Sequence, residues 1–170
     1  AERGLVMQAQ GKNFEALADL EAAWQIFRTM KAEGRSNKIR DMIESIERLY
    51  LEVFDAMSRE VDRKDPYTKG HSDRVASMAL LLAREVGLKG NQLKCIVAGA
   101  LLHDIGKIKI DDTILKKPGR LTDEEFAEIK RHPQYGIDLL AGKEFPWDIR
   151  PIILSHHERV NGSGDRKSVV

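Results

Sequence analysis

Apolar residues recur three and four positions apart along almost the whole of this chain, and the two-residue alternation of a half-buried strand is confined to Ile108-Lys109-Ile110. A helix returns side chains to one face every 3.6 residues and a strand every two, so the pattern predicts an all-α protein. At 170 residues there is room for one domain with a helical extension. The 28 Lys and Arg residues nearly cancel the 27 Asp and Glu, leaving a formal charge of +1. No global field then draws the chain to a nucleic-acid polymer or an anionic membrane, and any anionic ligand must be held by local charge. Apolar runs such as Ile96 to Leu102 are far shorter than the ~18 residues a membrane span needs, and nothing near Ala1 resembles a signal peptide, so the expected location is cytoplasmic. Cys95, the single cysteine, lies in an apolar helical stretch and reads as a small buried hydrophobe.

Three segments are expected. Residues 1–35 form a helical hairpin, broken near Gly11-Lys12-Asn13. Gly11, Phe14, Ala23 and Phe27 fall where a tetratricopeptide repeat places its helix-packing residues. The resemblance covers about one repeat, so the hairpin reads either as the end of a longer array that contacts a protein partner or as an ordinary helix pair. Residues 36–64 follow Gly34-Arg35-Ser36 as a linker helix from about Asn37 to Lys64. Its residues Ile39, Ile43, Ile46, Tyr50, Val53 and Met57 alternate spacings of four and three. That heptad seam predicts a parallel homodimer through the 36–64 helix, the alternative being a stripe packed inside one chain against Met42, Leu49 and Phe54.

Residues 65–170 carry the chemistry, in about five helices. Asp65-Pro66 breaks the linker helix. A helix is expected from about Ser72 to Val86, closed by Gly87, and another from about Asn91 to Ile105. Thr122 with Glu125 makes a capping box for a helix through Lys130, His132-Pro133 opens the next, and Asp148 can cap a last one with Pro151 in its first turn.

All five histidines lie in this half, at His71, His103, His132, His156 and His157. Singly, each could be a helix cap or a satisfied core residue. Together, most of them beside a helix start or an acidic residue, they point to a shared centre. His103-Asp104 ends an apolar helix, where an imidazole and a carboxylate would be costly unless bonded or bound to metal. Adjacent helical residues project ~100° apart, so such a pair suits two neighbouring metals, with the carboxylate between them. Imidazole and carboxylate donors without thiolate favour Fe, Mn, Zn or Ni.

The runs Asp65-Pro66-Tyr67-Thr68-Lys69-Gly70-His71, Leu101-Leu102-His103-Asp104-Ile105-Gly106-Lys107, Lys117-Pro118-Gly119-Arg120-Leu121-Thr122, His132-Pro133 and His156-His157-Glu158-Arg159 occur in an order and spacing that resemble the HD-GYP family. The resemblance spans about 100 residues, and the Lys-Pro-Gly-x-Leu-Thr segment sets it apart from the wider HD phosphohydrolases. It implies an HD-domain helical bundle and metal-dependent hydrolysis of cyclic di-GMP to pGpG or GMP in bacterial second-messenger signalling. It also implies that His71, His103, Asp104, His132, His156 and His157 ligate two divalent ions, iron or manganese, with Asp104 bridging. Lys107 is implied as the phosphate-contacting or proton-donating residue; Arg74 and Lys117 are further expected substrate contacts. Tyr67 stands where some relatives place a carboxylate for a third metal, and a phenol is a poor substitute.

The resemblance breaks after the His-His-Glu segment. The family's Gly-Tyr-Pro triad is replaced by Gly164-Asp165-Arg166, and the sequence stops at Val170 where members continue through helices bearing a further metal-binding Asp. This divergence reads as a truncated polypeptide. The alternative function is a catalytically incomplete signalling or partner-binding module.

Overall fold

The computed structural model describes residues 1–9, 11–65, 70–159, 161 and 164. Tyr67 and most of the segment after Arg159, including Asp165 and Arg166, lie outside them. The described residues form α1 (Glu2–Ala9), α2 (Asn13–Thr29), α3 (Glu33–Lys64), α4 (His71–Glu85), α5 (Asn91–Leu102), a 3₁₀ turn (Ile105–Lys109), α6 (Asp112–Leu115), α7 (Asp123–Ile129), α8 (His132–Leu139) and α9 (Arg150–Ser155). They contain no strand, as the periodicity predicts. None of these helices is long and apolar enough to cross a membrane.

Two compact units divide the chain, Ala1–Glu52 with Glu144–Pro146, and Val53–Lys143 with Trp147–Val170. In the first, α1 packs on α2. Ala16, Leu17, Leu20 and Ala23 of α2 meet Ile39, Ile43 and Ile46 of α3 in a core flanked by Trp24, Phe27 and Tyr50. The two readings of the α3 stripe are thereby distinguished over its first half. Ile39, Ile43 and Ile46 are spent inside one chain, which takes half of the expected dimer seam away from a partner. Gly11 sits in the turn at φ +74°, where a Cβ would meet nothing, while the close approach falls at Gly4, whose Cβ would lie 3.0 Å from Leu20 Cγ.

α2 closes at Lys31, a non-glycine residue at φ +53°. The Ala32 N–H donates to the Phe27 carbonyl at 3.0 Å, the six-to-one bond of a helix-terminating turn. With the reversal made there, α3 starts at Glu33 and Gly34-Arg35-Ser36, expected as the break, lie inside it. A Cβ on Gly34 would meet nothing within 4 Å. Gly34→Ala should therefore stabilise the chain by about 0.5–1 kcal/mol, because alanine loses less backbone entropy in a helix. Differential scanning calorimetry should show a melting temperature raised by about 1–4 °C for a chain of this size.

The second unit holds all five histidines. α4 packs on α5, α5 on α9, and α8 on both α9 and the 3₁₀ turn. Phe54 and Val61 of α3, Ala98 and Leu102 of α5, Ile105, Ile110, Leu140, Ile149 and Ile153 fill its core. α5 ends at Leu102, and the chain beyond Asp104 tightens into the 3₁₀ turn instead of continuing as helix to Ile105. The Lys107 N–H donates to the Asp104 carbonyl at 2.9 Å, and the Ile110 N–H to Lys107 at 3.1 Å. The Ile108-Lys109-Ile110 alternation thus belongs to the exit of a tight turn.

Packing explains the tightening. A Cβ on Gly106 would lie 1.8 Å from the His132 carbonyl oxygen and 2.5 Å from the Gly136 N. The turn therefore runs backbone against backbone along the first turns of α8, and a side chain has no place there.

The capping box forms as expected. Thr122 Oγ1 accepts the Glu125 N–H at 3.2 Å, and the Glu125 carboxylate accepts the Thr122 N–H at 2.7 Å. α9 differs. Ile149 occupies its cap position without a side-chain bond, whereas the exposed Asp148 carboxylate stands 3.9 Å from Arg150. Pro151 does sit in the first turn. Cys95 is half-buried, its Sγ 3.4 Å from the Asp148 carbonyl that accepts from it.

Candidate metal centre

The histidines are delivered by helix ends. His103 follows the last residue of α5, His156 follows α9, His132 begins α8 just past the end of α7, and His71 begins α4 after Gly70, which takes φ +64°. Helix C-termini leave carbonyls without intrahelical partners. Three histidines use them. Nδ1 of His103 lies 2.6 Å from the Ala100 carbonyl, Nδ1 of His132 lies 2.7 Å from Ile129, and Nδ1 of His156 lies 2.8 Å from Ile153. Each Nδ1–H donates to the carbonyl three residues earlier, which turns every Nε2 lone pair toward the interior.

Asp104 stands where those lone pairs converge. Its Oδ1 is 3.2 Å from His132 Nε2 and 3.8 Å from His156 Nε2, and its Oδ2 is 3.4 Å from His103 Nε2 and 2.8 Å from Lys107 Nζ. Two sets of donor atoms result, Asp104 with His132, His156 and His157, and Asp104 with His71 and His103, each set lying within 4.8 Å. Asp104 belongs to both. His103, Asp104 and His132 are buried, His71 and His156 are partly so, and His157 is exposed. A cavity of about 380 Å³ opens beside them, lined by His71, His103, His156 and His157 and by the apolar Val75, Ala79, Ile96 and Ile152.

Electrostatics sort the groups into roles. Burial alone would raise the Asp104 carboxyl, but the neighbouring His103 and His132 rings and the charge of Lys107 outweigh it and hold the group well below the usual carboxylate range. Burial would lower the Lys107 ammonium, yet Asp104 and Asp65 overcome it and push the group upward. For His103, burial is likewise outweighed by Asp104 and the shift is upward. His156 goes the other way. Burial, reinforced by His157, His103 and His132, pushes it down to about 4.

That difference gives a pH prediction for the metal-free protein. As pH falls through ~6.5 the unfolded chain takes up a proton at position 156, while the native chain does not until about 4. His156 therefore disfavours the native state progressively across that window, by about 3 kcal/mol at its acid end. His103, shifted upward, acts in the opposite sense. The readout is consequently a difference: urea midpoints of the metal-free chain should fall more steeply between pH 6.5 and 4 than those of its His156→Gln variant.

The donor set fits a cation. His132 Nε2 and His156 Nε2 face each other at 3.1 Å, and both Nδ1 atoms already donate to carbonyls. Two imidazole lone pairs thus point at one buried spot beside a carboxylate. A divalent ion coordinated by nitrogen and oxygen relieves that opposition, and these residue types without thiolate suit Fe, Mn or Zn.

Of the other sequence-predicted residues, Arg74 is exposed in the first turn of α4 and does not line the cavity. Lys117 places Nζ at 2.8 and 2.6 Å from the two carboxylate oxygens of Glu125, the same carboxylate that closes the capping box. Lys117 is thereby held on α7. Asp65 does join the histidine cluster, and sequence reasoning missed it. It is buried, and its Oδ2 accepts from Lys107 Nζ at 3.1 Å. Its place before Pro66 reads as a helix break, and only Lys107, 42 residues on, reveals the second use.

Comparison with known proteins gives the family. Residues 68–169 match the family model described as HD domain. Over 139 residues the chain is 37% identical to the cyclic di-GMP phosphodiesterase response regulator RpfG of Xanthomonas campestris, covering 81% of this chain and 36% of that protein. It is 39% identical over 116 residues to a cyclic di-GMP phosphodiesterase of Thermotoga maritima, covering 67% of this chain and 32% of the relative. It is 36% identical over 121 residues to the 3'3'-cGAMP-specific phosphodiesterase 3 of Vibrio cholerae, covering 71% of this chain and 26% of the relative. The chain thus spans about a third of the length of these relatives.

Proposed function

Since the chain belongs to the HD-domain family, we propose that it is the catalytic part of a metal-dependent phosphodiesterase acting on a cyclic dinucleotide, with cyclic di-GMP as substrate and pGpG or GMP as product. The observation that carries this reading is the sharing of Asp104 between two sets of donors, with the Lys107 ammonium on the same carboxylate. In this reading His71, His103 and Asp104 would hold one divalent ion, and Asp104 with His132, His156 and His157 would hold a second. When bound, such a pair lowers the pKa of a water and stabilises charge on an in-line phosphoryl transition state.

The chain's own residues supply the rest. The Ala100, Ile129 and Ile153 carbonyls keep the imidazoles in one tautomer and one orientation, so no reorganisation is needed when charge develops. Lys107, charged and fixed at Asp104, offers a remaining N–H to a phosphate oxygen next to the donors. The apolar Val75, Ala79, Ile96 and Ile152 exclude water from one part of the cavity and offer a surface to a nucleobase or ribose. Iron or manganese is the expected metal.

The test is a metal count on anaerobically purified protein, followed by assay of cyclic di-GMP and 3'3'-cGAMP with Mn²⁺ or Fe²⁺ and chromatography of the products. About two ions per chain with linearisation of cyclic di-GMP supports the reading. Turnover of 3'3'-cGAMP alone moves the substrate. Bound metal without turnover favours the catalytically incomplete module that the Gly164-Asp165-Arg166 sequence suggests, and no metal overturns the ligand assignment.

A further inference from the structure

We propose that Asp65 is a positioning residue, which with Lys64 forms a two-point clamp at the end of α3 that sets Lys107 against Asp104. The proposal rests on the phosphodiesterase reading for its kinetic consequence only.

The two residues are adjacent and grip the same turn from different sides of its chemistry. Lys64 Nζ donates to the carbonyl of Ile108 at 2.6 Å and to that of Ile110, so the α3 end holds the backbone that leaves the 3₁₀ turn. Asp65 continues the helical hydrogen bonding, its N–H donating to the Val61 carbonyl at 3.0 Å, and its buried carboxylate accepts from Lys107 Nζ at 3.1 Å. Backbone and side chain of one turn are thus referred to one helix end. An ammonium has three N–H donors. Lys107 places one on Asp104 and one on Asp65, which leaves the third for a ligand oxygen.

Charge gives the reason for two carboxylates. Asp104 is the group that the donor sets share, and a buried ammonium resting on it alone would compete for the same oxygens as a cation. Asp65 supplies a countercharge of its own, so Lys107 is neutralised while Asp104 stays available. A lysine side chain otherwise samples many rotamers, and a second anchor removes that freedom before any ligand arrives. The ammonium is then held at one point beside Asp104.

The test compares the unaltered chain with Asp65→Asn, which keeps shape and removes the charge, and with Asp65→Glu, which restores it. Two readouts are needed: kcat and KM for cyclic di-GMP in metal-loaded protein, and the rate at which an amine-reactive reagent modifies Lys107 in metal-free protein, followed by mass spectrometry. Asp65→Asn should bind the same number of ions, lose about 10–100-fold in kcat with KM changed much less, and label Lys107 several-fold faster. Asp65→Glu should recover part of both. A kcat within twofold of the unaltered chain, or Lys107 labelling that does not change, overturns the proposal. If the unaltered chain turns over no cyclic dinucleotide, the phosphodiesterase reading fails separately, and Lys107 labelling alone decides: acceleration in Asp65→Asn supports the clamp and an unchanged rate removes it.

Discussion

Replacing Asp104 by alanine should empty the centre and lower cyclic di-GMP turnover by about 10³-fold or more, equivalent to at least ~4 kcal/mol of transition-state stabilisation. The effect is large because one carboxylate serves both donor sets. Removing an outer histidine such as His157 would thin one set; removing Asp104 takes an anionic ligand from each and leaves clustered imidazoles with no negative charge among them. The fold should survive, because Lys107 keeps Asp65 as a counterion and the histidines keep their carbonyl partners. Plasma mass spectrometry of the purified variant should find little or no retained metal, with a far-ultraviolet circular dichroism spectrum unchanged. Full metal loading together with undiminished turnover would remove Asp104 from the centre.

A second large effect is expected far from any donor atom. Gly106→Ala should destabilise the chain by about 3 kcal/mol or more, at the upper end of overpacking costs, because the new Cβ would stand 1.8 Å from a backbone oxygen, which cannot rotate away. The melting temperature should drop by about 6–12 °C on that scale. The oxygen belongs to His132, so relief requires α8 to move and carries a ligand with it. Metal affinity should fall alongside stability, whereas Gly34→Ala, in open space within α3, should raise stability and leave metal affinity alone. A Gly106→Ala chain that melts normally and loads normally would contradict the close crossing of turn and helix.

The histidine cluster was legible in the sequence because residue types able to bind cations leave compositional marks. Five histidines with Asp104, crowded into one half and set at helix ends, have few structural reasons to be there, and the caps around them are local signals: Thr122 with Glu125, Pro133 and Pro151 all stand where their chemistry places them. What could not be read is what depends on distant pairings. Asp65 looks like a helix breaker until Lys107 is seen beside it. Lys117 looks like loop charge near an anion site, but Glu125 holds it. The α3 stripe reads as a dimer seam, and only the packing of Ile39, Ile43 and Ile46 on α2 shows that its first half is used within the chain. Gly34 failed as a break because Lys31, two residues before α3, takes the left-handed conformation that glycine usually supplies.

The segment from Asp104 to Ile110 holds the shared carboxylate, the ammonium, the glycine crossing and the carbonyls gripped by Lys64, all within one tight turn. Such concentration makes the chemistry depend on one short piece of chain. Ile105 and Ile110 bury that piece in the core and Gly106 lies backbone to backbone on α8, so it opens only with the unit around it. Activity and fold should therefore be lost together on heating, and the amides of Lys107 and Ile110, which close the turn, should exchange no faster than those of the core helices.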